Sequence, residues 1–211
     1  MKNFAKEFHT LNYVIKESQN ILLFAHSHPD EDTTGSVLAL KEYIKSLGKD
    51  ADIACFDPFP ENLKTIIPEK FEFPARLEIS KYKLVIACDS VERGFEKIVD
   101  KFPAETVIAL IDHHPDIKMK RDINIIDASV SSVCELVYEF FRYNQIEISR
   151  VMATSLMLGI LGDTGTFQHA NTTARTMEIA SDLMKKGAPV AKIVQATFSN
   201  RNISTLKLWG R

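Results

Sequence analysis

The 211-residue sequence predicts an α/β fold, a parallel sheet flanked by helices and followed by a helical C-terminal part. Three observations carry this. The runs NILLFAH, ADIACF, KLVIACD, TVIALID and INIID are short and rich in β-branched and aliphatic residues, as strands are. They are apolar throughout instead of alternating, which fits strands covered on both faces. Helical stripes separate several of them, the pattern of parallel strands joined by crossovers.

Taken in order, Phe4, Phe8, Leu11 and Ile15 fall on one helical face ahead of the first strand. Val37, Leu40, Ile44 and Leu47 form the next stripe, and Gly48 closes it. The stretch 57–80 carries four of the eight prolines and has no clear period. ERGFEKIVDKF, between KLVIACD and TVIALID, reads as a helix. Ser132 with Glu135 forms a capping box before Val133, Leu136, Val137, Phe140 and Phe141. RVMATSLMLGILGD keeps helical spacing, TTARTMEIASDLMKKG stops at Gly187, and Pro189 opens a last helix, PVAKIVQATF.

Composition narrows the function. A chain that is 45% hydrophobic and 26% charged is globular in make-up. Its net charge of -2, with no Lys/Arg stripe, argues against a broad grip on duplex nucleic acid and leaves a small or single-stranded phosphorylated ligand open. No apolar run has the length of a membrane span, and the start lacks a signal-peptide core. Cys55, Cys88 and Cys134 are widely spaced and odd in number, so neither a disulfide framework nor a zinc ribbon is expected. A cytoplasmic protein is the plain expectation.

The chemistry gathers where apolar elements end. NILLFA runs into His26, Asp30 and Asp32; KLVIAC into Asp89; TVIALI into Asp112, His113 and His114; LMLGIL into Asp163 of GDTG. Ligands of open α/β sheets sit beyond the carboxyl ends of the strands. Each piece has a bland reading of its own: Asp89 as a helix cap, Asp163 as a turn residue, His113 and His114 as a pair on the surface. Five of the six histidines nonetheless lie in or beside these turns. Four aspartates at one sheet edge repel, and no lysine or arginine run offsets them, Arg93 apart. Divalent cations would. Carboxylate and imidazole ligands without thiolate suit manganese, iron, cobalt or magnesium, and so many ligands call for two ions about 3.5–4 Å apart.

HSHPDEDTTGS resembles the first motif, H-x-x-P-D-x-D-x-x-G-S, of the DHH phosphoesterases. The Asp89 strand end is similar to their second motif, IDHH at 111–114 to the motif that names them, and GILGDTGTF to the fourth, in order over roughly residues 20–200. The resemblance implies one manganese on His26, Asp30 and Asp89, and a second on Asp32, Asp89, His113 and Asp163, with magnesium or cobalt as substitutes. It implies that His114 faces the substrate phosphate and that Asp112 orients an imidazole or the loop. Ser36, His169 and Asn171 are weaker candidates for substrate contact, Ser36 through backbone N–H groups at a helix start.

Members of this family commonly continue into a smaller domain with a glycine-rich loop, and none of the eight glycines here is adjacent to another. The expected organisation is therefore a DHH catalytic domain over 1–195, with 196–211 the start of a linker to a missing C-terminal substrate-binding domain. The expected activity is a manganese-dependent phosphoesterase acting on short single-stranded RNA or a small nucleotide such as pAp or a cyclic-di-AMP product, with a homodimer as an admissible assembly. A family II type pyrophosphatase is the nearest alternative. A module that binds metal and nucleotide without turnover is the alternative of another class.

Overall fold

A computed structural model describes residues 2–198. Five strands, β1 (Ile21–Phe24), β2 (Ala51–Ala54), β3 (Leu84–Cys88), β4 (Val107–Asp112) and β5 (Ile123–Ile126), form one sheet in the order β2-β1-β3-β4-β5. Every neighbouring pair is parallel, with Phe24 opposite both Ala54 and Ala87. Side chains alternate across it. Ile21, Leu23, Leu84, Ile86, Cys88, Ala109 and Ile111 enter one core, while Leu22, Phe24, Val85, Ala87, Ile108 and Leu110 enter the other.

The first core is roofed by α1 (Ala5–Glu17), α2 (Glu31–Ser46), α3 (Val133–Tyr143) and α4 (Arg150–Asp163). Outside them lie α5 (Ala174–Lys185), which packs on α4 and α3, and α6 (Val190–Phe198), which packs on α4. Among the described residues no helix is long and apolar enough to cross a membrane. The three cysteines are free and buried.

The second core is covered differently from expectation. ERGFEKIVDKF is not an α-helix but two 3-10 turns, Phe95–Lys97 and Val99–Lys101. Gly94 enters at φ 131° and Ile98 breaks the run at φ -128°, so the i→i+4 ladder never propagates. Val91, Phe95, Ile98, Val99 and Phe102 still reach the sheet. The helical period marked a buried face, not a helix. The capping box at Ser132 is also only half formed. Ser132 Oγ accepts from the Glu135 N–H at 3.3 Å. The Glu135 carboxylate instead takes the hydroxyls of Ser131 (2.5 Å) and Thr176 (2.6 Å), joining α3 to α5. The expected boundary at 195/196 falls inside α6, and 199–211 lies outside the described residues.

Strand order positions the site. From β1 the chain turns through α2 over the first core, whereas after β3 it turns over the second core. The crevice between the carboxyl ends of β1 and β3 is the switch point at which such sheets take their ligands. Against it, α2 and α4 cross closely at glycines. A Cβ on Gly159 would stand 2.7 Å from Asp32 Oδ1 and 3.0 Å from its Cα. Only the missing side chain lets α4 pass Asp32.

Candidate metal centre

Hydrogen bonds, several of them between distant parts of the chain, set side chains at this crevice. After β1, the His26 N–H donates to Thr33 Oγ1 at 3.2 Å, and that hydroxyl donates to the Cys88 carbonyl at 2.9 Å. Thr33 thus ties the end of β1 to the end of β3. Asp30 is the N-cap of α2: its Oδ1 accepts from the N–H groups of Asp32 (3.1 Å) and Thr33 (3.0 Å). Its Oδ2 is left 3.1 Å from His26 Nε2. Asp32, fully buried, accepts from the Val133 and Cys134 N–H groups at 2.6 and 2.9 Å at the start of α3. Asp89 leaves β3 at φ 53°, a left-handed conformation that turns its carboxylate into the crevice instead of continuing the strand. Asp163 is the last residue of α4.

Three overlapping donor sets result, each with its ligand atoms within 4.8 Å of one another: His26, Asp30 and Asp89; Asp32, His113 and Asp163; Asp89, His113 and His114. Asp89 sits between the clusters. Its Oδ2 is 3.3 Å from His26 Nε2, and its Oδ1 is 3.7 Å from His113 Nε2 and 3.4 Å from His114 Nδ1. His113 Nε2 lies 3.2 Å from Asp163 Oδ2.

These residues fit divalent cations. His26 Nε2 and Asp89 Oδ1 are buried without a hydrogen-bond partner, although oppositely charged atoms lie within 4 Å. The atoms converge but are not aligned to bond one another, which is costly unless something else binds them. His26 also donates its Nδ1–H to the Ser27 carbonyl at 2.6 Å. Metal-ligating histidines usually make such a bond with the second nitrogen.

Electrostatics carries the same strain. Burial, then the charges of Asp30 and Asp89, pushes Asp163 up to about 8. Burial, with Asp163, Asp89 and Asp30 around it, holds Asp32 well above the carboxylate range. Burial also raises Asp89, against the opposing His26 contact. For His26 burial favours the neutral ring, but contacts with Asp30 and Asp89 outweigh it and raise it to about 9. Burial lowers His113. Asp163 and His26 thus hold protons more tightly folded than unfolded. That contribution is complete below the ordinary values, 3.8 and 6.5, and is lost as pH climbs through about 8 and about 9. The melting temperature of chelator-treated protein is accordingly expected to fall from about pH 6 to about pH 9, and manganese to abolish the fall. A metal-free melting temperature that rises over this interval would contradict the assignment.

The remaining candidates separate. Asp112 Oδ1 accepts from the His114 N–H (3.0 Å) and Nδ1–H (2.8 Å), and its Oδ2 from the Val91 N–H (3.2 Å). The His114 side chain is 40% exposed. His169 donates its Nδ1–H to the Asp163 carbonyl at 2.9 Å, and Asn171 bonds the carbonyls of Ser131 and Asp163 at 3.2 Å each. Both brace the turn after α4. Ser36 is not presented to a ligand. It lies inside α2, fully buried, with its hydroxyl donating to the Thr33 carbonyl at 3.0 Å, because Asp30 and not Ser36 begins the helix. Sequence reasoning passed over Thr33, and it noted Arg93 beside the acids without giving it a role. Thr33 follows Asp32 directly, but nothing local marks a hydroxyl that bridges two strands. Arg93 is the basic side chain beside the cluster, 3.4 Å from Asp89 Oδ2 and 3.8 Å from Asp30 Oδ2.

Known proteins share this arrangement of sequence and fold. Bifunctional oligoribonuclease and PAP phosphatase NrnA of Thermus thermophilus is 30% identical over 174 residues, covering 82% of this chain and 52% of the relative. Its namesake in Bacillus subtilis is 31% identical over 175 residues, covering 78% and 52%. The chain therefore spans about half the length of the curated relatives it matches. Among solved structures, an exopolyphosphatase-related protein from Bacteroides fragilis superposes with a TM-score of 0.85, covering 97% of this chain and 64% of its own; at 23% identity this shows the fold. The model of the DHH family, N-terminal domain, matches residues 20–160, and the chain belongs to that family.

Proposed function

We propose that the chain carries the catalytic centre of a cytoplasmic metal-dependent phosphoesterase, one that hydrolyses phosphate esters of short oligoribonucleotides or of small nucleotides such as pAp. The observation that carries this reading is the shared Asp89, whose two oxygens each face a different cluster of donors. The names of the NrnA relatives support the substrate class.

His26, Asp30 and Asp89 would hold one cation, and Asp32, Asp89, His113 and Asp163 a second, manganese being preferred for this mixed carboxylate and imidazole set. Bound there, the pair supplies an acidified nucleophile at neutral pH and neutralises charge on the phosphoryl group. The chain's own residues do the rest. Thr33 and the α2 cap hold the donors in register before any cation arrives. A carboxylate only accepts, so the His114–Asp112 contact fixes the proton on Nδ1 and leaves Nε2 as the ring nitrogen free for substrate. The Asp112 hydrogen bond, against partial burial, raises His114, which favours the protonated ring that can give a proton to a leaving oxygen.

Turnover of a short oligoribonucleotide, pAp and pyrophosphate by the purified protein tests this reading. Manganese-dependent release from the first two, abolished by chelation and restored best by manganese, is the expected result. Preference for pyrophosphate would replace the substrate class. Ligand binding without product would replace the enzyme.

A further inference from the structure

The position of Arg93 carries a role that the metal centre alone does not explain. Its main chain is fixed on both sides. The Arg93 N–H donates to the Ser90 carbonyl at 3.1 Å, and its carbonyl accepts from the Ser27 N–H at 3.2 Å. Gly94 follows at φ 131°, packed so near the loop after β1 that a Cβ would stand 3.2 Å from Ser27 Oγ. The root of the side chain is therefore held at the β1/β3 crevice.

The guanidinium itself is held loosely. One nitrogen donates a single long hydrogen bond to Asp89 Oδ2 at 3.4 Å, another lies 3.8 Å from Asp30 Oδ2, and the side chain is 42% exposed. Guanidinium offers five donors in a planar fork suited to carboxylate and phosphate oxygens. Most of that capacity is unused at these distances. Among the described residues Arg93 is also the Lys or Arg side chain within 4.0 Å of the cluster carboxylates. The same two aspartates are the ones that would bind the first cation. Once a cation satisfies them, the arginine loses its attraction to them, yet its anchored backbone keeps it at the rim.

We propose that Arg93 is a phosphate-binding residue: in the loaded centre its guanidinium exchanges Asp30 and Asp89 for the phosphoryl oxygens of the nucleotide. This rests on the reading of the metal centre above. The exchange makes one cation a stand-in for another, so the acids are never left without a counter-charge.

Titration of adenosine 5′-monophosphate into the manganese-loaded protein, with metal content measured on the same samples, tests it without turnover. Arg93→Ala is expected to keep the parent's manganese stoichiometry while its AMP affinity falls about 10- to 100-fold, the scale of a lost charge-assisted contact. Arg93→Lys is expected to recover part of that loss, because it restores charge but not the fork. AMP binding by Arg93→Ala as tight as the parent's, with manganese in place, overturns the phosphate role alone. Loss of manganese from Arg93→Ala also overturns it, by making Arg93 a structural support of the centre. A parent protein that takes up no manganese overturns this role and the metal centre together.

Discussion

Asp89→Asn is expected to abolish binding at both cation positions in one step and to lower metal-dependent turnover on the order of 10³-fold or more, about 4 kcal/mol of transition-state stabilisation. The reason is geometric. Asp89 Oδ2 belongs to the His26 and Asp30 cluster, while Oδ1 faces His113 and His114. An amide keeps the shape but loses the charge, and its nitrogen cannot serve as a ligand. Stability should move the other way. Burial and the charge of Asp30 already push the Asp89 proton affinity up, so removing the charge relieves the metal-free protein. Chelated Asp89→Asn should therefore melt above the chelated parent and gain nothing from manganese.

Backbone conformation separates this effect from simple damage. At φ 53° position 89 occupies the left-handed region, which asparagine tolerates and alanine does not, at a cost of roughly 1–2 kcal/mol. Asp89→Ala should thus be less stable than Asp89→Asn while equally metal-deficient. Thermal melts with and without manganese, beside metal analysis, measure both. Uptake of two manganese ions by Asp89→Asn would refute the shared-ligand assignment.

That left-handed turn shows where sequence reading reaches its limit. The approach of His26, Asp30, Asp89, His113 and Asp163 was legible because each follows an apolar run, and parallel strands deliver their ends to one edge. Strand order was not legible, and it is the order β2-β1-β3 that puts His26 beside Asp89. Non-local contacts decided the rest. Thr33 ties the end of β1 to Cys88 at the end of β3, 55 residues further along the chain than Thr33 itself. Gly159 leaves the space that Asp32 fills. Ser36 was misplaced because DTTGS offers several capping residues, and the choice falls to whichever carboxylate reaches the free N–H groups; Asp30 does. ERGFEKIVDKF failed for a related reason. Its apolar spacing records contact with the sheet, while Gly94 prevents the helix that such spacing ordinarily accompanies.

His114→Ala is expected to retain the parent's manganese content and yet to slow turnover about 10²- to 10⁴-fold, the range of a lost general acid. The geometry permits a rival outcome, since Asp89, His113 and His114 also form a donor set. Two observations favour the proton role. His114 Nδ1 is engaged by Asp112 Oδ1 at 2.8 Å, closer than the 3.4 Å to Asp89 Oδ1, so the nitrogen nearest the cluster already carries a proton. The Asp112 contact, the chief influence on it, raises the ring's proton affinity, which favours donation over ligation. If His114 donates, the rate falls as pH rises through its pKa. Asp112→Asn removes the supporting charge and lowers that pKa, so the alkaline limb of the pH profile should move to lower pH while the metal stays bound. Loss of manganese in His114→Ala would instead make His114 a ligand. A pH profile unmoved in Asp112→Asn would remove the dyad from the reaction, leaving Asp112 as the brace of the loop that bears His113.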